Sequence, residues 1–206
     1  MKFEAELYEA IKANYIETCN QIEQLLNEGN EQNAAETILY YCSSFGEDIT
    51  EYDPNNFLKK YTSQKLLVNF YNKFSNNQIL YDCILGTYLY DGYCFPKRII
   101  MKAKKIMNSI PNDIRYNDLP KSNSVIVYRG TKSNIDRLKY EPSWTTDKDT
   151  AMHFAEHACY NESDYSKAKV YRAEINYNEI IAYINLRDEH EILQYNSVYN
   201  ISQIQF

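Results

Sequence analysis

Three short segments in the later part of the chain carry residue types that chemistry needs: Tyr128-Arg129-Gly130, Ser143-Trp144-Thr145-Thr146 and Glu189-His190-Glu191. A guanidinium is permanently charged and offers a planar fork that matches phosphate oxygens. The glycine after it permits a sharp turn or the close approach of a ligand. In an extended strand Ser143 and Thr145 share one face and Trp144 takes the other. Two hydroxyls on one face can bond a ribose or fix a neighbouring carboxylate. Read as a strand, Glu189 and Glu191 also share a face, and His190 points away. Carboxylates held side by side repel, so such a pair is solvated, matched with arginine, or used. The set suits a cleft that holds a phosphate-bearing ligand and works on a sugar carbon.

Each segment also has an ordinary reading. Arg129 can be a strand-end ion-pair partner, the hydroxyls can be helix caps and turn formers, and the glutamates can be solvated edge charge. His153 and His157 stand four apart on a helix, a spacing that metal ligands use. No third ligand stands out, and ordinary helix-surface histidines are expected, with no metal.

The elements that must position these residues divide the chain in two. The first half reads as helices. Phe3, Leu7, Ala10, Ile11, Tyr15, Cys19, Ile22 and Leu26 recur at three- and four-residue steps, and Gly29 ends the run. A second helix holds Ala34, Ala35, Ile38, Leu39 and Cys42 and stops near Gly46. Asp53-Pro54 reads as a helix start. Ser63 caps a helix with Leu66, Leu67, Phe70, Tyr71 and Phe74 on its apolar face. Further helices run from about Gln78 to Tyr90 and from Pro96 to Ile110.

The second half changes period. Strands are expected at Val125–Tyr128, Lys169–Ile175, Glu179–Ile184, Glu189–Tyr195 and Val198–Phe206. Between the first two, Thr146-x-x-Asp149 reads as a capping-box start, with Ala151, Phe154, Ala155 and Ala158 as the apolar stripe. Helices first and strands after is an α+β order. The expected division is a helical portion, 1–118, and a β-rich portion, 119–206, within one compact domain overall.

Composition narrows the function classes. The chain has 206 residues, 44% hydrophobic and 24% charged, so it is globular. Its net charge is −6, which repels a polyanion, and no nucleic-acid partner is expected. The basic run Lys97-Arg98, Lys102, Lys104, Lys105 reads first as a solvated helix face and second as a contact surface for an acidic partner. The 21 tyrosines, with plentiful Asn, Ile and Lys, reflect codon bias more simply than activity. Five scattered cysteines without a CxxC suit a reducing compartment rather than a disulfide frame or zinc site. Met1-Lys2-Phe3-Glu4 opens no apolar signal region, and no run reaches membrane-spanning length. The expectation is a soluble cytoplasmic chain made without a signal peptide, with no membrane partner; delivery into a host cell stays open.

Taken together, the three segments resemble the Arg-Ser-Glu class of mono-ADP-ribosyltransferases, which includes bacterial binary toxins, vertebrate ecto-enzymes and phage transferases. Tyr128-Arg129-Gly130 resembles the family's strand arginine. Ser143-Trp144-Thr145 resembles its Ser-Thr-Ser strand, with Trp144 in the middle position, and Ala151 with Phe154-Ala155 resembles the sequel. Glu189-His190-Glu191-Ile192-Leu193 resembles the Glu-x-Glu signature. The likeness covers roughly 120–206, extends weakly to the helices from about Gln78, and leaves 1–75 unmatched.

The resemblance implies a helical part packed on a mixed or antiparallel β-sandwich core of ADP-ribosyltransferase type, with NAD as substrate. It implies that Arg129, with Tyr128, Gly130 and Thr145, binds NAD. Glu191 would stabilise the sugar cation, Ser143 would orient Glu191, and Glu189 would handle the incoming nucleophile. A glutamate at that first position implies an arginine acceptor on a protein target. Two alternatives remain beside this reading: an NAD glycohydrolase that uses water as acceptor, and a binding module with a degenerate cleft. A glycosidase fits poorly, because its two carboxyls flank the scissile bond from opposite sides.

Overall fold

The structure is a computed structural model that describes residues 2–43, 63–91, 95–116, 118–132, 135–157, 168–185 and 188–205. The chain forms two compact units, Met1–Ser109 and Ile110–Phe206. Gly46, Asp53-Pro54, Cys94, Ala158 and Cys159 lie outside the described residues. No helix among the described residues is long and apolar enough to cross a membrane.

The first unit is built of helices α1 (Lys2–Asn27), α2 (Glu31–Ser43), α3 (helical over 63–70), α4 (Asn77–Asp91) and α5 (Lys97–Ile106). Its α1 ends at Gly29, whose φ of +75° costs a glycine little. The Asn30 N–H closes that end on the Leu25 carbonyl at 2.8 Å. Ile22, Ala34, Ala35, Ile38, Leu66, Leu67, Leu80, Ile84, Ile99 and Ile100 are buried together with the rest of this unit's core. The expected apolar face of α3 holds for Leu66, Leu67, Phe70 and Phe74, whereas Tyr71 is only partly buried. Helix α5 stops at Ile106, and a 3-10 turn, Met107–Ser109, carries on from it.

The second unit is α+β. Among the described residues it holds short helices α6 (Asn112–Arg115) and α7 (Ile135–Leu138), helix α8 (Lys148–His157), and six strands. These are β1 (Ser124–Thr131), β2 (Ser143–Thr145), β3 (Lys169–Asn176), β4 (Ala182–Ile184), β5 (Glu191–Leu193) and β6 (Val198–Ile204). Instead of the expected sandwich, the six strands join one sheet in the order β4-β5-β2-β1-β3-β6. Every pair is antiparallel. The two halves stay joined because β2 pairs with β1 on one side and β5 on the other.

Alternation assigns the faces. Val127, Trp144, Tyr171, Ala173, Ile175 and Ile192 point to one side and pack with Leu119, Leu138, Tyr177 and Ile180. On the opposite side Tyr128 and Val170 pack under α8 against Ala151 and Ala155. Phe154, expected in that stripe, is 42% exposed instead. Gly130 explains how close α8 comes. A Cβ at residue 130 would lie 1.9 Å from the Ala151 carbonyl oxygen and 2.4 Å from the Ala155 nitrogen. Both are backbone atoms, so the helix itself would have to move. Arg129 is therefore not at a strand end but inside β1, between two residues that hold α8 to the sheet.

Gly130→Ala is expected to destabilise the second unit by about 3 kcal/mol, the upper range for forcing atoms into a packed site. Trp144, the chain's one tryptophan, is 1% exposed and reports this unit's unfolding in urea by fluorescence. An unchanged midpoint would mean that α8 is not seated on β1.

Candidate active site

The strand order sets β5, β2 and β1 side by side, although 58 residues, 131–188, separate Tyr128-Arg129-Gly130 from Glu189-His190-Glu191. Thr145 is the junction. It lies opposite Tyr128 on β1 and opposite Glu191 on β5. Tyr128, Thr145 and Glu191 therefore form a cross-strand row on one face. Ser143, two residues back on β2, shares that face and sits beside Leu193. Thr145 is buried, whereas Ser143 and Glu191 are half-buried.

The Thr145 hydroxyl donates to the Glu189 carbonyl at 2.6 Å and accepts from the Asp147 N–H at 3.0 Å. One buried hydroxyl thus ties the end of β2 to the approach to β5 and to the start of α8. Asp147, not Thr146, caps that helix. Its carboxylate accepts from the N–H groups of Asp149 and Thr150 at 3.1 Å each and from the Thr150 hydroxyl at 2.6 Å. These bonds, that of the Thr150 hydroxyl foremost, hold the Asp147 carboxyl below its ordinary pKa, and the nearby His190 adds to the effect. The Thr146 N–H instead donates to the His190 carbonyl at 3.0 Å.

The glutamate pair differs from its strand reading. Strand β5 begins at Glu191, and Glu189 precedes it. Asp188 and His190 have φ of +54° and +47°, in the left-handed region. Two such residues break the period of two, so no shared strand face forces the carboxylates together. Asp and His are among the residues that enter this region most readily. The strain, of the order of 1 kcal/mol each, is opposed by the bonds from Thr145 and Thr146. The Tyr183 phenol adds a third tie, 2.8 Å from Nδ1 of His190. Burial first, and the Asp118 carboxylate second, push that phenol's pKa up, so it keeps its proton.

Arg129 takes the other face. Alternation directs it to the side of Val127 and Trp144, away from the row of Thr145 and Glu191. The register between β1 and β2 rests on Tyr128 opposite Thr145, whereas β1 and β3 pair along their whole length. Where β1 and β2 part, the Arg129 guanidinium reaches across and donates Nη1–H to the Ser143 carbonyl. Its Nη2 lies 3.3 Å from the Glu141 carboxylate. The Glu141 carbonyl accepts from Trp144 Nε1 at 3.2 Å and from the Gln194 amide. The corner before β2 is thereby fixed, and with it the counter-ion of Arg129.

Among the seven site residues expected from sequence, β1, β2 and β5 thus gather Tyr128, Gly130, Ser143, Thr145 and Glu191 about one sheet face. Arg129 lies at the parting of β1 and β2, and Glu189 in the turn before β5. Tyr128 and Gly130 serve to seat α8. Sequence reasoning missed Glu141, Asp147 and Tyr183. Of these, Asp147 was legible: Asp-x-x-Thr directly before an alanine stripe is itself a cap pattern. His153 and His157 stack with ring centroids 3.9 Å apart. Among the described residues, no group of three His, Cys, Asp or Glu is placed to hold a metal ion.

The Asp147 cap yields a pH test. A carboxyl whose folded pKa is depressed adds stability above its unfolded pKa and loses it as pH falls through the folded value. Asp147→Ala is therefore expected to cost about 1 kcal/mol near neutral pH. The gap from the native chain should close below about pH 4, when measured by urea unfolding at each pH. A gap that persists unchanged at pH 2 would show that the charge does not carry the cap.

Comparisons with protein-family models, with curated proteins and with solved structures find no match to this chain.

Proposed function

We propose that this chain is a mono-ADP-ribosyltransferase that moves ADP-ribose from NAD to a protein side chain, an arginine, and releases nicotinamide. One observation carries the reading. Segments far apart in sequence, each resembling one element of the Arg-Ser-Glu class, lie on the adjacent strands β1, β2 and β5, with Thr145 opposite both Tyr128 and Glu191.

The chemistry follows from the residue types. The bond between nicotinamide and the ribose carbon breaks, and its electron pair leaves with the nicotinamide ring, which becomes neutral. Positive charge builds on the sugar. A fixed carboxylate at about 4 Å stabilises such charge by up to about 4 kcal/mol at an effective dielectric near 20. That is about a thousandfold in rate. Glu191, rooted at the start of β5, takes this role, and Ser143 on the same face orients it. The acceptor nitrogen then bonds to the ribose carbon and gives its proton to the Glu189 carboxylate. The turn at Asp188 and His190 suits this division of labour, because it frees Glu189 from the strand that fixes Glu191. Arg129, directed to the other face, reaches the parting of β1 and β2 and there binds the pyrophosphate, and a phosphate must displace Glu141 to reach the guanidinium.

Glu191→Ala is expected to lose both ADP-ribosyl transfer and nicotinamide release by about a thousandfold. Glu189→Gln should lose transfer while keeping measurable hydrolysis of NAD. Both are read by chromatography of free nicotinamide alongside label fixed on protein. Full transfer by the Glu189 variant would remove its assigned role, and full activity of the Glu191 variant would remove the reaction.

Glu141→Gln tests the competition for Arg129. Neutralising the counter-ion should tighten NAD binding by up to about fivefold, the value of a partly exposed ion pair worth about 1 kcal/mol. Calorimetric titration measures this. Unchanged or weaker binding would place the phosphates elsewhere.

A further inference from the structure

Helix α5 carries five cations, Lys97, Arg98, Lys102, Lys104 and Lys105, and no acidic residue. Its inner side is apolar and buried: Ile99, Ile100, Ala103 and Ile106. At 100° per residue those four side chains fill one arc, and the cations occupy the rest. Lys97, Arg98 and Lys105 are exposed, and Lys102 and Lys104 are partly so. Met101 lies amid the cations and is 42% exposed. No ion pair joins Lys97, Arg98, Lys102 or Lys105 to another described residue. Outside α5 the chain has 17 Lys and Arg against 28 Asp and Glu, a formal charge of −11. The helix is thus a basic island on an acidic protein.

We infer that the outer face of α5 is a docking surface for a compact acidic patch on a folded partner protein. Charge complementarity sets the sign of the partner. Extent sets its class. Ten residues of helix span about 15 Å. A nucleic-acid duplex or an anionic membrane runs well past that length, and the rest of the chain, at a formal charge of −11, offers it no net attraction. An acidic patch of one helix's length does not. Met101 supplies what a purely electrostatic surface lacks, a flexible apolar contact that adapts to its partner. The inference is independent of the transferase proposal, since α5 lies in the helical unit and contributes no residue to that chemistry.

The test uses the full chain and three labelled probes: a decaglutamate peptide, a 20-base-pair DNA duplex and phosphatidylserine vesicles. Decaglutamate is expected to bind, by fluorescence anisotropy, with an affinity that falls as salt rises. Changing Lys97, Arg98, Lys102 and Lys105 together to Gln should weaken it at least tenfold, with unchanged circular dichroism. Met101→Ser should cost less than the charge changes. A control changing Lys121, Arg137 and Lys148 to Gln should leave binding within about twofold of the native chain, well short of one decade. No peptide binding, an equal loss in the control, or tighter binding of the duplex or vesicles would each overturn the inference. Should the α5 variant fail to fold, single changes Arg98→Gln and Lys105→Gln read the same loss in smaller steps.

Discussion

The Thr145 hydroxyl is buried, and both of its bonding capacities are used within the second unit. It donates to the carbonyl of Glu189 and accepts the N–H of Asp147. Its backbone sits opposite Tyr128 on one side and Glu191 on the other. Four parts of the fold meet at that residue: the central strand β1, the edge-ward strand β5, the turn that leads into β5, and the cap of α8. A valine there would keep the shape and strand the Glu189 carbonyl and the Asp147 N–H, a costly outcome for buried polar groups. The placement of Glu191 and Glu189 relative to the sheet therefore depends on a hydroxyl rather than on either glutamate.

From that junction outward, the sheet does two different things. Toward β3 the ladder is unbroken, toward β6 it carries a register shift between Arg172 and Glu174, and Gly130 removes the last obstacle to the close approach of α8. Toward β2 the pairing of β1 parts beyond Tyr128, and Arg129 bridges the parting to the Ser143 carbonyl. A guanidinium used this way does local work in the sheet and keeps a counter-ion in Glu141. It is also partly exposed, at 22% of its side chain, so an anion of better geometry can replace the carboxylate. Under the transferase proposal, the structural and ligand-binding uses of Arg129 would be successive states of one side chain.

Much of this was legible in the sequence, and the parts that were not share a cause. The recurrence at three- and four-residue steps located α1, the alternation over Lys169–Ile175 located β3, and the β-branched run Val125–Tyr128 marked the first half of β1, while the helix expected from about Gln78 to Tyr90 is α4, Asn77–Asp91. The pairing of Ser143 with Thr145 on one face, and Trp144 on the other, followed from alternation alone. The shared strand face for Glu189 and Glu191 did not survive, because the backbone hand at Asp188 and His190 is set by bonds from Thr145, Thr146 and Tyr183. Thr145 and Thr146 lie 44 residues from the carbonyls they bond, and no local pattern announces them. Glu141 escaped notice for the same reason: its meaning comes from Arg129, twelve residues away along the chain and adjacent only once β1 and β2 part. The single six-stranded sheet likewise depends on β2, a strand of three residues, too short to show a period.

The transferase proposal meets its most direct test in one incubation. NAD labelled in its adenylate half is mixed with the full chain and a cell lysate, and the protein fraction is then examined by mass spectrometry. Stable label on arginine side chains, with an equal amount of free nicotinamide, is the expected result. Intact NAD, with neither label on protein nor free nicotinamide, would contradict the proposal.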